Sequence, residues 1–357
     1  MPEKKNQHYV PQMHLRNFAT DNDKLLINIY HKKTSKRIDN VPIKKQASED
    51  YFYGNDGYFE ERLGELESGT NKIFKEIQNQ NILPKHFSKD HFLLLLYIVF
   101  AKTRTRKQLD NTHDSQNLIF QKFFSEHKEL KDIAPDYEIK MENPFNLILS
   151  AAFNAYHLTC DLEYKLLKNK TNKPFILSDH PVITYNDFNN QKGHKITNGR
   201  GLMSKGLQLI FPISPDYVLF FYDSWAYKLG SRKSQVIAIE DEKVVEQLNL
   251  LQILNSNEVI FFNSKVSELY FKELLRIASK HNSFDKQSLN EFPLEKQDEE
   301  TKSSIVMIKN STPTIKLTIN SYKFTDKAKN WKPDTRIVYP RTDWHLQQYE
   351  KGINNRH

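Results

Sequence analysis

The sequence predicts an α+β fold, with a helical N-terminal half packed against a mostly antiparallel sheet and a small, β-rich, basic C-terminal appendage. Three observations predict it. Apolar residues recur at helical spacing from about residue 59 to 167 and then change to short strand-like runs from about 174 to 262. The last 57 residues hold 11 Lys and Arg against 4 Asp and Glu, which is nearly the whole net charge of +8.

Taken in order, residues 8–20 read as a short ordered lead-in, and residues 25–30 as a strand. A polar turn follows at 32–39, with extended chain to about Phe52. Phe59, Leu63, Leu66, Ile73, Phe74 and Ile77 fall on one helical face. A second helix is expected from about Ser88 towards Lys107, a third over 118–124 and a fourth over 144–167. Strands are expected at 174–178, 182–185, 207–211, 217–222 and 234–239, antiparallel in the main. A helix at 241–255, a strand at 259–262 and a helix at 265–281 complete a domain spanning 1–282. Residues 283–302 are acidic and polar, and read as a linker. In the basic, aromatic-rich segment 303–357, residues 304–308 and 314–319 flank Asn310-Ser311-Thr312-Pro313 and suggest a β-hairpin.

Composition narrows the function classes. The single cysteine, Cys160, rules out an internal disulfide and a zinc site built on cysteine pairs. With 10 glycines in 357 residues there is no phosphate-binding P-loop and no dinucleotide fingerprint. Residues 1–7 are polar and predict no signal peptide, and the longest apolar run, 92–101, is about half of the roughly 20 residues a membrane span needs. The expectation is a cytoplasmic protein with no membrane contact and no disulfide-linked partner.

The densest chemistry lies in the opening segment, His8-Tyr9-Val10-Pro11-Gln12, followed by Met13, His14, Leu15, Arg16, Asn17 and Phe18. Pro11 holds Val10 extended and can start a helix, which puts Gln12, Leu15, Arg16 and Ala19 on one face. With Tyr51-Phe52-Tyr53-Gly54, the Arg-Thr steps at 103–106, Leu177-Ser178-Asp179-His180-Pro181-Val182 and Phe211-Pro212-Ile213-Ser214-Pro215, this segment forms an ordered set. That set resembles the bacterial "domain of unknown function 4238" family, whose hallmark is an HYVP motif. The resemblance covers about residues 5–280 and implies a shared fold and site position, with no established activity attached.

Each candidate has a chemical reading and a structural one. His8 can move protons near neutral pH, and Arg16 can hold a phosphate, with Tyr9, Gln12 and Asn17 beside them; alternatively, the segment is a clasp pinning the N-terminal arm. Asp179 suits a general base, a metal ligand or an orienter for His8, or else closes a turn before Pro181, with His180 next to it. Arg104 and Arg106 end an apolar helix, where cations are favoured by the dipole. Arg106 and His113 also resemble the loose Arg–His spacing of metal-independent HEPN-type ribonucleases. Glu61 and Glu65 share a helix side and read as a metal pair or a solvated face. The tail interleaves cations with rings, as single-strand binders do, or buries those rings in a core.

The expectation is therefore an enzyme acting on nucleic acid, a ribonuclease or other endonuclease of a defence or toxin type. His8 and Asp179 would be catalytic, with Tyr9, Gln12, Arg16, Asn17, Arg104, Arg106 and His180 binding substrate, and a divalent metal is the cofactor to test. The alternatives are a non-catalytic nucleic-acid or protein binding module with the opening motif as a clasp, and a hydrolase of a phosphorylated small molecule.

Overall fold

The computed structural model describes residues 5–55, 57–126, 137, 141–142, 144–192, 199–284, 287–293, 304–313, 315–332 and 339–354. The chain opens with β1 (Asn6–His8), α1 (Gln12–Leu15) and a 3-10 turn (Arg16–Phe18), then β2 (Leu26–His31), β3 (Lys36–Pro42) and β4 (Ser48–Asp50). Four helices follow: α2 (Tyr58–Gln80), α3 (Lys89–Thr103), α4 (Arg106–Glu126) and α5 (Pro144–Ala155). Next come β5 (Glu163–Asn169), β6 (Leu177–Ser178), β7 (Ile183–Tyr185), α6 (Asp187–Lys192), β8 (Gln208–Ser214), β9 (Tyr217–Tyr222), β10 (Tyr227–Leu229) and β11 (Val236–Ile239). They are followed by α7 (Glu242–Asn255), β12 (Val259–Phe262), α8 (Glu268–Ala278), β13 (Gln287–Pro293), β14 (Ser304–Asn310), β15 (Tyr322–Phe324), α9 (Asp326–Asn330) and α10 (Asp343–Asn354).

The architecture is α+β. A five-stranded sheet in the order β11-β5-β9-β8-β7 forms the centre, antiparallel except for the β11–β5 pair. Both of its faces are covered. Tyr164, Leu166, Leu209, Phe211, Leu219 and Phe221 meet α2 and α3 on one side, while Leu167, Ile210, Val218, Phe220 and Tyr222 meet α7 and the C-terminal segment on the other. The alternation of successive residues between the two faces follows from the strand period. It also explains why 208–214 and 217–222 are nearly continuous apolar runs. A second, four-stranded antiparallel sheet, β3-β2-β12-β6, carries the opening segment on its face through Val10, Leu15 and Phe18.

The helix starts follow local chemistry. Ser88, Asp241 and Ser267 cap α3, α7 and α8 with side-chain oxygens. The apolar helix α3 stops at Thr103, and α4 starts immediately after the corner at Arg104 and Thr105, instead of α3 continuing to Lys107. The helix expected over 118–124 is the end of this longer α4.

Three further expectations are corrected. The helix expected over 144–167 ends at Ala155, and its last third becomes β5, because Tyr164, Leu166 and Leu167 are needed on alternate faces of the central sheet. β11 runs parallel to β5 rather than antiparallel. The hairpin expected around residues 310–313 is not formed: β14 pairs with β13, from within the span expected as linker. Residues 315–319 instead bury Ile315, Leu317 and Ile319 in the core beside α7, where Thr318 N–H donates to Gln247 Oε1 at 2.9 Å. The acidic residues 294–300 of the expected linker lie outside the described residues. Two of the C-terminal rings pack inward, Tyr322 stacking on Tyr227 at 5.3 Å and Trp331 meeting Phe188 at 5.2 Å, while Trp344 is exposed. Among the described residues no helix is long and apolar enough to cross a membrane.

Candidate functional site

The opening segment is tied down along its length. β1 pairs with β4, and the buried Gln7 side chain donates to the Gly54 carbonyl at 2.9 Å and accepts from Tyr53 N–H at 2.6 Å. The His8 carbonyl accepts from Arg104 Nη2 at 2.7 Å and from the Tyr53 hydroxyl at 3.1 Å. Tyr9 N–H donates to Ala47 O, and its ring rests on Phe52. His14 is fully buried, 2.7 Å from the Pro212 carbonyl, and burial lowers its pKa to about 4. Arg16 is exposed and reaches Gln12 at 3.2 Å, while Asn17 is half-buried in the turn after α1. This geometry is that of a clasp. The His8 imidazole itself is half-buried.

Arg104 is the bolt of the clasp. Its guanidinium is 2% exposed and bonds Tyr53, Glu67 and the His8 carbonyl, with Glu67 at 2.6 Å. Arg106 points elsewhere, pairing with Glu49 at 2.7 Å and Asp110 at 3.2 Å. His113 lies two helical turns further along α4. Glu61 and Glu65 are exposed on α2, and Glu65 pairs with Arg62. Among the described residues no group of three His, Cys, Asp or Glu is arranged to hold a metal ion.

Asp179 is buried. It accepts backbone N–H groups from Asn257, Glu258 and Val259 at 2.7, 2.7 and 2.9 Å, which fixes the entry into β12. Burial pushes its carboxyl up, and the three N–H bonds and Lys107 oppose that. The phenol of Tyr9 is raised by burial and then by the charges of Asp179, Glu258 and Glu49. Tyr9, Asp179 and Arg106 are thus brought into one neighbourhood, in which Glu49 and Asp110 already pair with Arg106.

A different set of residues lines a polar cavity. About 260 Å³ in volume, it lies between the end of α3, the start of α4, β7 and the loop after α6. Lys102, Lys107, Arg200 and His180 line it, with Gln108, Asn111, Thr184, Asn255 and Asn310. No carboxylate is present in the lining among the described residues. Lys107 is 3% exposed and donates to the Asn255 carbonyl at 2.9 Å. Arg200 Nη2 donates to the Ser311 carbonyl at 3.1 Å, and its guanidinium sits 4.9 Å over the Phe284 ring. Burial, then the nearby Arg200 charge, lowers Lys102 to about 8; burial lowers Arg200 to about 10, so it stays cationic at neutral pH.

His180 is the one sequence-derived candidate on this cavity. Burial, then Lys107, Lys102 and Arg200, hold its imidazole far below the usual range, so it is neutral. Its Nδ1 lies 2.6 Å from Thr105 Oγ1, which also accepts from Gln108 N–H.

The irregular chain through Asp179 and His180 is held by α7. Asn249 bonds Ile176 N–H and the Pro174 carbonyl; Gln252 bonds Ser178 N–H and the Pro181 carbonyl; Asn255 donates to the carbonyls of His180 and Val182. These three carboxamides, spaced three residues apart, form a buried ladder that satisfies backbone groups which no sheet partner reaches.

Fold and site together define an α+β protein with a clasped N-terminus and a cation-lined cavity at a helix corner. The model of the family "Protein of unknown function (DUF4238)" matches residues 6–266, and the chain belongs to that family. No curated protein and no solved structure matches the chain.

Proposed function

We propose that this protein binds nucleic acid through its phosphates, with the cavity at the α3–α4 corner as the phosphate clamp. What supports this reading is the gathering of Lys102, Lys107 and Arg200 around one small polar volume. Lys and Arg are the side chains that hold phosphate oxygens, and the net charge of +8 favours a polyanionic partner.

The second reading is hydrolysis of the bound phosphodiester. Lys102 favours it, because a pKa of about 8 suits proton transfer near neutral pH and the neighbouring cations would stabilise developing charge. In that reading the working groups are Lys102 and His180, and Asp179 keeps its place as the clamp of the β12 turn.

The test is purified full-length protein against labelled single-stranded RNA and DNA over a salt series, with EDTA or added divalent metal in parallel. Binding that weakens steeply with salt, and whose salt slope falls by about one charge in Lys102→Met, is the expected result. Absence of binding at low salt would remove the proposal. Intact strands under every metal condition, with binding retained, would remove the hydrolytic reading.

A further inference from the structure

The geometry points to Lys102 as a nucleophilic amine that captures a small hydroxylated aldehyde as an imine in the cavity at the α3–α4 corner; the inference goes beyond the phosphate reading and does not rest on it. The first reason is the setting of the amine. Lys102 lies in the last turn of α3, half-buried, on the cavity wall. The two buried lysines among the described residues are held by backbone carbonyls: Lys107 donates to Asn255, and Lys165 to Ser231 and Ser234. Lys102 makes no hydrogen bond and no ion pair among the described residues. Acceptors around an ammonium hold its protons in place, and their absence favours the free amine.

The second reason is that the lone pair is available. Burial, then the Arg200 charge, bring Lys102 to about 8. Roughly one chain in ten then carries the free amine at neutral pH, against about one in three thousand for an ordinary lysine. A lysine that is desolvated or set beside another cationic group is one of the ways in which an amine is activated for attack on a carbonyl. The third reason is room. The cavity, about 260 Å³, lies below the roughly 300–1,000 Å³ typical of pockets for drug-sized ligands, so it suits a compound of a few carbons. Gln108, Asn111 and Thr184 put carboxamides and a hydroxyl on its wall, and these groups match the hydroxyls of a sugar-like aldehyde.

The step balances without any further reactant. The Nζ lone pair attacks the carbonyl carbon, and the C=O π bond opens onto oxygen. One amine proton moves to that oxygen, which gives a carbinolamine. The second amine proton follows as the C–O bond breaks, and the nitrogen lone pair forms the C=N bond. Both amine protons and the carbonyl oxygen leave together as water, and nothing is oxidised or reduced.

The experiment uses the full-length wild type, incubated at neutral pH with glyceraldehyde or with its hydroxyl-free counterpart propanal. Sodium cyanoborohydride traps each imine as a stable secondary amine. Peptide mapping by mass spectrometry then gives the rate at every lysine, with the exposed Lys233 and Lys280 as internal references. The expected result is modification of Lys102 at least about tenfold faster than of the reference lysines, the sense set by its larger share of free amine. That excess is larger with glyceraldehyde than with propanal. Labelling of Lys102 no faster than of Lys233 and Lys280 would overturn the nucleophile. An equal excess with both aldehydes would overturn the hydroxylated ligand class. The reference lysines sit in the same chain, so intrinsic differences between the two aldehydes cancel. No variant is needed, and no nucleic acid takes part, so this result stands apart from the outcome of the phosphate test.

Discussion

Replacing Lys102 with Met should stabilise the apo protein while weakening phosphate binding. A pKa of about 8 in the folded chain, against the ordinary 10.5, means that the charged side chain costs the fold up to about 3 kcal/mol at neutral pH. Part of the residue stays accessible, so solvent screening brings the expected gain to about 1–3 kcal/mol. Methionine keeps the unbranched stem and fills the same space. The pH dependence carries a sign. Below about pH 8 both folded and unfolded chains hold the proton, and the penalty is complete. Between about 8 and 10.5 the unfolded chain holds it and the folded chain does not, so stability rises with pH; above 10.5 the penalty is gone. The groups facing Lys102 in this cavity are Arg200, Lys107 and His180; burial brings Arg200 to about 10, inside the window, and holds His180 far below it. The assay is urea denaturation of wild type and variant from pH 7 to 10.5, read as the difference between them. A variant less stable than wild type at pH 7, or a difference that stays constant with pH, would refute the reasoning. Phosphate binding as tight as in the wild type, with the same salt slope, would remove Lys102 from the site.

Asp179→Ala should cost about 3–5 kcal/mol, because three buried N–H groups lose their acceptor, and Asp179→Asn should cost about 1–3 kcal/mol; equal and small losses by urea denaturation would argue against the clamp. Arg104→Met leaves Glu67 and the His8 carbonyl without their cation and should cost about 3–5 kcal/mol, with earlier proteolysis within residues 5–10. An unchanged cleavage pattern would mean that the arm is held by other contacts. Arg341, whose side chain is fully buried against Asp161 and the carbonyls of Leu158, Leu202 and Ser204, pins the chain ahead of α10. Arg341→Ala should cost about 3–5 kcal/mol and expose α10 to limited proteolysis, and a variant that unfolds like wild type would contradict this.

Much of the fold was legible because local chemistry and packing agree. Ser88 caps a helix that the apolar run already predicts, and the runs at 208–214 and 217–222 are strands in a sheet covered on both faces. What was illegible depended on distant partners. Residues 163–169 look helical until β9 and β11 flank them, and 315–319 look like a strand until Ile315, Leu317 and Ile319 are needed against α7. The cavity was the least legible part. Its cations come from the end of α3, the start of α4 and a loop nearly a hundred residues later, so no spacing links Lys102 and Lys107 to Arg200. One signal lay in the sequence itself: Asn249, Gln252 and Asn255 repeat every three residues in a stretch, 248–255, that is otherwise Leu and Ile. A helix that buries a row of carboxamides is holding irregular backbone, and here that backbone carries Asp179 and His180.

The opening motif and the cavity meet in four consecutive residues. Arg104 turns into the clasp, Thr105 to His180, Arg106 to the surface acids Glu49 and Asp110, and Lys107 into the cavity. The break between α3 and α4 makes this divergence possible, since a continuous helix would have placed these side chains at fixed 100° steps around a single axis. Arg104 is locked by a buried ion pair and by the His8 carbonyl, so the direction in which α4 leaves the corner depends on the opening segment being seated. Lys107, Gln108 and Asn111 are carried on that helix. The opening segment thus bonds, through the His8 carbonyl, the corner from which α4 carries Lys107, Gln108 and Asn111 to the cavity of Lys102, His180 and Arg200.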